Sequence, residues 1–190
     1  MLIIANVIRE VVDKVTYQVF NNSEYAAVKA AIKAQLNDNV NEITYMHGHP
    51  IEIIQTLGDR DQTTNELKYK KYPLVALFQD LAETQQAGNT VEATLQIIIA
   101  TSTKPELKAE QRYITTFTPI LYPLYDLFIS ELNKHKKVIS FYRADHQKYD
   151  RVFWGTVSNI MEGTQVRMFN DYLDAIELQN LKITFRNNNC

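Results

Sequence analysis

A chain of 190 residues can build one full hydrophobic core but leaves little material for a second independent one. Its 45% apolar and 22% charged fractions match globular averages, which excludes a disordered or fibrous chain. A formal net charge of −2 argues against an obligate nucleic-acid binder, which would carry a basic excess.

The single cysteine, Cys190, is the last residue of the sequence, so no disulfide can form within the chain, and a reducing compartment is expected. Met1 to Asn6 has no basic lead-in, and Arg9, Glu10 and Asp13 break the apolar run that follows. A secretory signal is therefore not expected. No stretch approaches the roughly 18 apolar residues of a membrane span. Eleven Tyr and eight Phe stand against one Trp, a balance that suits half-wet surfaces as well as core edges.

Ile4, Val7, Ile8, Val11, Val12, Val15 and Val19 recur every three or four residues and predict an amphipathic first helix. Asn21-Asn22-Ser23 ends it, with Ser23 expected to cap a second helix whose stripe is Tyr25, Val28, Ile32 and Leu36. Ile43, Tyr45 and His47 alternate as a short strand would. Residues 51–57 fit either a helix opened by Pro50 or a strand, and Gly58 to Glu66 reads as a polar loop.

Strands are expected at Leu74 to Phe78 and Val91 to Thr101, joined by a loop through Ala87-Gly88-Asn89. Pro105 stands where a helix could open. Ile114, Phe117, Leu121, Leu124, Phe128 and Leu132 predict a long helix, kinked or split near Thr118 to Pro123 by Pro119 and Pro123. Lys134-His135-Lys136-Lys137 suits the negative end of that helix dipole.

Arg151 to Val157 is a strand candidate. At the C-terminal end Ile176 and Leu178 alternate in one phase and Leu181, Ile183 and Phe185 in the other. A bulge at Gln179-Asn180 explains the slip better than a turn. The expected fold class is α+β, a single domain with a mostly antiparallel or mixed sheet. N-terminal helices (residues 1–36) and a long proline-kinked helix flank an α/β core (residues 42–190).

Little of the sequence carries recognisable chemistry. His47-Gly48-His49 places two imidazoles two residues apart, but zinc wants four ligands and no suitably spaced Cys or acid stands near. A polar turn explains the pair better. Asp145-His146 lacks a nucleophile motif, and neighbours in a strand point to opposite faces. The glycines form no phosphate-binding loop, and no cofactor or metal is expected. Lys68, Lys70 and Lys71 interleave with Tyr69 and Tyr72, a pattern shared by single-strand nucleic-acid platforms and by subunit interfaces. Those five residues and Trp154 are the interface candidates.

Three blocks then carry a resemblance: Lys68 to Asp80; Glu110-Gln111-Arg112-Tyr113 with Phe117 to Tyr125; and Asn170 to Phe185. With two helices before them and a long apolar strand between, the set resembles neck and tail-completion proteins of tailed bacteriophages. These are tail-terminator or head–tail connector subunits, as in phages of Bacteroidetes, including crAss-like ones. The resemblance implies a non-enzymatic subunit of a homo-oligomeric ring that joins head or portal to tail and lines or seals the DNA channel. It further implies other neck, portal and tail proteins as partners, transient contact with double-stranded DNA, no membrane, and a place in the virion after assembly in the host cytoplasm. A cytosolic module binding peptide or nucleic acid through Lys68 to Tyr72 is the other reading.

Overall fold

A computed structural model describes residues 4–62, 70–79, 81–140, 146–159, 164–167 and 171–186. Helix α1 (Ile4–Asn21) buries the valine and isoleucine stripe read from its period. Asn22, one residue before the expected cap, accepts from the Glu24 amide at 3.0 Å and starts a short 3₁₀ turn, Ser23–Tyr25. Helix α2 (Ala26–Gln35) follows directly and buries Val28 and Ile32.

Strand β1 (Thr44–Gly48) leads into α3 (Pro50–Gln62). Residues 51–57 are thus helical, and the helix runs on through the start of the expected polar loop. Its N-terminus explains why. The His49 amide donates to Glu52 Oε2 at 3.2 Å and the Ile51 amide donates to His49 Nδ1 at 3.3 Å, a reciprocal cap.

Strand β2 (Leu74–Phe78) is followed by β3 (Ala82–Gln86) and β4 (Thr90–Ser102). β3 was expected as loop. Helix α4 (Ala109–Arg112) passes without a break into a π-helical stretch, Tyr113–Leu121, and then α5 (Tyr122–Asn133). Two prolines therefore do not split this helix. The wide π turn absorbs Pro119, whose missing donor falls on the exposed turn around Ile114 and Thr115. Pro123 is the second residue of α5, at the junction with that stretch. The chain turns at Pro105, and the helix opens only at Ala109.

The last strands are β5 (Val138–Ser140), β6 (Gln147–Trp154), β7 (Thr156–Asn159), β8 (Thr164–Arg167) and β9 (Leu173–Arg186). Arg151 to Val157, expected as one strand, is divided at Gly155, where φ is +78°. β7 and β8 form a separate two-stranded ribbon.

The main sheet is mixed and seven-stranded, with path β1-β2-β4-β9-β5; β3 also pairs with β4 and β6 with β9. Among the described residues, only the β1–β2 pair of this sheet is parallel. The chain is thus a single-domain α+β protein.

Alternation sorts the sheet's side chains into two cores. One face supplies Val75, Leu77, Leu95, Ile97, Ile99, Ile176, Leu178, Leu181, Ile183 and Phe185 to a core shared with α1, α2, the π-helical stretch and α5. The other face gives Leu74, Ala76, Phe78, Ile98, Ala100, Leu173 and Ala175 to a smaller core under Ile53 and Leu57 of α3. Trp154 closes that core, stacking on Phe78 at 6.1 Å.

The opposite phases within β9 meet at a bulge. Leu95 pairs with Leu181 and Ile97 with Leu178, so Gln179 and Asn180 together oppose Gln96. Asn180 is left-handed, with φ +56°. The extra residue keeps Ile176, Leu178, Leu181 and Ile183 on one face.

Arg112 and Asp174 form an ion pair in the interior, with side chains 1% and 0% exposed. Arg112 Nη1 donates to Asp174 Oδ1 at 3.0 Å and to Thr103 Oγ1 at 3.1 Å. Nη2 reaches the Lys104 carbonyl at 2.8 Å and Nε the Leu107 carbonyl at 2.9 Å. The guanidinium lies 3.8 Å from the centre of the Phe153 ring. One side chain thereby ties the loop before α4 to β9 and β6.

Removing one partner of such a pair strands the other charge, at a cost of about 3–5 kcal/mol. Asp174→Ala is expected to lose that much stability in urea denaturation. The double variant Arg112→Met, Asp174→Leu should lose clearly less; equal losses would show that the ion pair is incidental. Asn180→Val should cost about 1–2 kcal/mol, because a β-branched side chain resists positive φ, while Asn180→Gly should stay near neutral.

Candidate subunit-interface surfaces

The two margins of the sheet differ in chemistry. On one side, β3 and β4 make a hairpin through Ala87-Gly88-Asn89. Gly88 at φ +84° and Asn89 at φ +57° take the left-handed conformations that a three-residue hairpin loop calls for. Thr90 Oγ1 donates to the Ala87 carbonyl at 3.3 Å and Gln86 Nε2 to Glu92 Oε2 at 3.2 Å. Every side chain of β3 is exposed. From Ala82 to Ala93 the hairpin contains Glu83 and Glu92 and no Lys or Arg.

On the opposite side, β9 carries β5 beside its last residues and β6 beside its first. Lys134 to Lys137 lead into β5, and the Arg186 amide closes this corner by donating to the Lys137 carbonyl at 2.7 Å. His135 points inward; the Lys137 amide donates to its Nδ1 at 3.3 Å, so Nε2 carries the hydrogen that meets Glu10 Oε2 at 3.0 Å. That hydrogen bond is the main reason Glu10 holds its carboxyl below the ordinary value; burial opposes it, and Lys137 and Lys136 assist.

Along β6, Lys148 lies over the rings of Tyr122 (4.5 Å) and Tyr125 (5.5 Å) and bonds Asp150 at 2.7 Å. Tyr122 donates to the same carboxylate at 2.5 Å. Burial raises the Tyr122 phenol and Asp150 adds to that rise. Asp150 is itself pushed up by burial, but hydrogen bonds from Lys148 and Tyr122 outweigh this and leave it below the ordinary range. On the other face of β6, Arg151 Nε donates to Glu177 Oε2 at 2.6 Å, and Gln96 and Gln179 donate their side-chain N–H groups to Oε1. Tyr113, Ile114, Ile139, Tyr149 and Val152 are large side chains with substantial exposure.

The interface residues expected from sequence fall in different places. Lys68 and Tyr69 lie outside the described residues. Lys70 is exposed, 3.9 Å from Glu42. Lys71 and Tyr72 are interior: Lys71 pairs with Asp171, and the Tyr72 hydroxyl donates to the same carboxylate at 3.1 Å. Trp154 is half-buried on Phe78. Lys70, Lys71 and Tyr72, the described members of the segment, therefore do not share one exposed surface.

The two histidines also separate. His49 caps α3, and His47 stacks on Tyr45 with ring centres 6.0 Å apart. Among the described residues no group of three or more His, Cys, Asp or Glu is arranged to hold a metal. Asp145 lies outside the described residues, and His146 Nε2 meets the Tyr125 hydroxyl at 2.9 Å. No described helix is long and apolar enough to cross a membrane.

The hairpin and the β5 corner were not picked out by sequence reasoning. Ala82-Glu83-Thr84-Gln85-Gln86 has no apolar alternation. The only available signal was the loop chemistry of Gly88-Asn89 ahead of an obvious strand. Comparison with known proteins adds nothing to these surfaces: no protein-family model matches the chain, and no curated protein matches its sequence.

Glu10 yields a pH prediction. Its folded pKa lies below the unfolded one, so its contribution to stability is present above the unfolded carboxylate pKa. That contribution fades as pH falls through the carboxylate range. Glu10→Gln should lower stability at neutral pH, and the gap to the parent should close in acid. A gap independent of pH in parallel thermal melts would refute this linkage.

Proposed function

We propose that this protein is a structural subunit of a tailed-phage neck or tail. In this reading it assembles as a ring that joins head or portal to tail and lines or seals the DNA channel. The observation that carries the reading is a sheet that ends, among the described residues, in different strands on its two sides, β1 and β3 at one and β5 and β6 at the other. Two different edges on one rigid body support head-to-tail contacts, the kind that close into rings. A flat, exposed edge is also a standing invitation to pair with another chain.

The disposition of charge supports the same reading. The interior ionisable groups are committed to holding the fold: Arg112 with Asp174, Lys71 with Asp171, His135 with Glu10, and Glu177 with Arg151. These are cross-braces between distant segments. A net charge of −2 suits a conduit, since a strongly basic lumen would hold the genome and oppose its passage. The ties of Lys71 and Tyr72 to Asp171 favour this reading over a nucleic-acid-binding module built on that segment.

Native mass spectrometry and negative-stain electron microscopy of the purified chain test the proposal together. The expected result is one closed ring of a fixed copy number. A species that stays monomeric at every concentration examined would overturn it.

A further inference from the structure

Resting on the ring reading, we infer that each copy meets duplex DNA through a basic corner formed by Lys136, Lys137, Lys182 and Arg186, which touches phosphates and reads no sequence.

The first observation is which cations are uncommitted. Several others are engaged within the molecule. Lys29 and Lys33 donate to the carbonyls of Phe20 and Asp38, and Lys134, Lys148 and Arg151 meet Glu131, Asp150 and Glu177. Among the described residues, the side chains of Lys136, Lys137, Lys182 and Arg186 form no ion pair. Lys136, Lys182 and Arg186 are exposed and Lys137 is half-exposed.

Separate stretches of chain bring these four together. Val138 pairs with Phe185, and the Arg186 amide donates to the Lys137 carbonyl at 2.7 Å, so Lys136 and Lys137 stand beside Arg186. Lys182 is four residues back along β9, about 14 Å, and alternation puts it on the same face as Arg186.

The carboxylates around the corner are fewer. Glu131 is bonded to Lys134, and Glu10 to His135. Asp13 and Lys14, which share a groove with Glu131, cancel. Glu92 lies opposite Thr184, between Lys182 and Arg186. Counting Lys134, five cations face the three carboxylates Glu10, Glu92 and Glu131, in a chain whose net charge is −2.

The sheet face beside the corner has matching chemistry. Thr90, Thr94, Gln96 and Thr184 share it with Lys182 and Arg186, and neither β4 nor β9 adds an aromatic or aliphatic side chain at this level. Hydroxyl, amide, ammonium and guanidinium groups are donors to phosphate. A protein partner fits this face less well, because protein interfaces are anchored by large aromatic side chains. A small basic excess gives a weak, salt-sensitive hold that lets DNA slide.

Fluorescence anisotropy of a labelled, blunt, mixed-sequence duplex, titrated with the purified full chain at several salt concentrations, tests the corner. Binding should be weak, and the logarithm of affinity should fall linearly with the logarithm of salt. Lys182→Gln with Arg186→Gln should lower that slope by about two, at roughly 0.9 per cation removed, and Lys136→Gln with Lys137→Gln should do the same. Lys104→Gln with Lys108→Gln, an equal charge change just past the far end of β4, should leave it unaltered. Thermal melts matching the parent check that each variant keeps the fold. Rings that bind no duplex at low salt, or whose slope is unchanged in both corner variants, would overturn the corner and leave the ring reading standing. A chain that never forms a ring, yet loses its slope in those variants, would overturn the ring reading and keep the DNA contact.

Discussion

The antiparallel ladder between β4 and β9 is the constraint on which the rest of the molecule depends. These strands, 13 and 14 residues long, are the longest of the described strands and pair along their whole length. β2, β3, β5 and β6 each attach to a part of one of them. The pair is buried on both faces only toward one end, where Ile98, Ala100, Leu173 and Ala175 meet α3. Toward the other end the second face turns polar, with Glu92, Thr94, Gln96, Lys182 and Thr184. The bulge at Gln179 and Asn180 sits at this change. Without it, a strand in strict alternation would turn Leu181, Ile183 and Phe185 to the polar side and leave the helical layer above them without a floor.

Helices are joined to that ladder by polar links as well as apolar packing. Arg112 stands at the end of α4, where the π-helical stretch begins, and its guanidinium reaches across to β9. Its other donors hold the loop that brings the chain from β4 to the helix. Glu177 plays a related part on the opposite face, gathering Gln96 from β4 and Arg151 from β6 around one carboxylate. Burial raises the Glu177 pKa, and the hydrogen bonds from Gln179, Arg151 and Gln96 more than reverse this, so it stays ionised where its partners need it. Such groups stiffen the fold, because moving one of the elements they join breaks a charged contact inside it.

Much of this architecture was legible in the amino-acid sequence, for identifiable reasons. The valine stripe of α1 and the reversed phase in β9 are periodic signals, and periodicity survives without knowledge of neighbours. The role of Arg112 was not legible, since its carboxylate partner lies 62 residues further on. Lys71 reads as a surface cation for the same reason: Asp171, which buries it, is 100 residues away. The prolines marked where the helix departs from α geometry, but not the form of the departure, a π-helical stretch in which the i→i−4 ladder is set aside. β3 was hidden by a composition that no strand preference favours.

That composition has a consequence of its own. β3 holds no side chain more apolar than alanine, so a mistaken contact along it releases almost no hydrophobic free energy. A chain that met it could be held only by aligned main-chain bonds, with nothing greasy to cling to. Chance encounters should therefore come apart quickly, and a bare strand margin that would otherwise be a hazard in a crowded cell is blunted by its own composition.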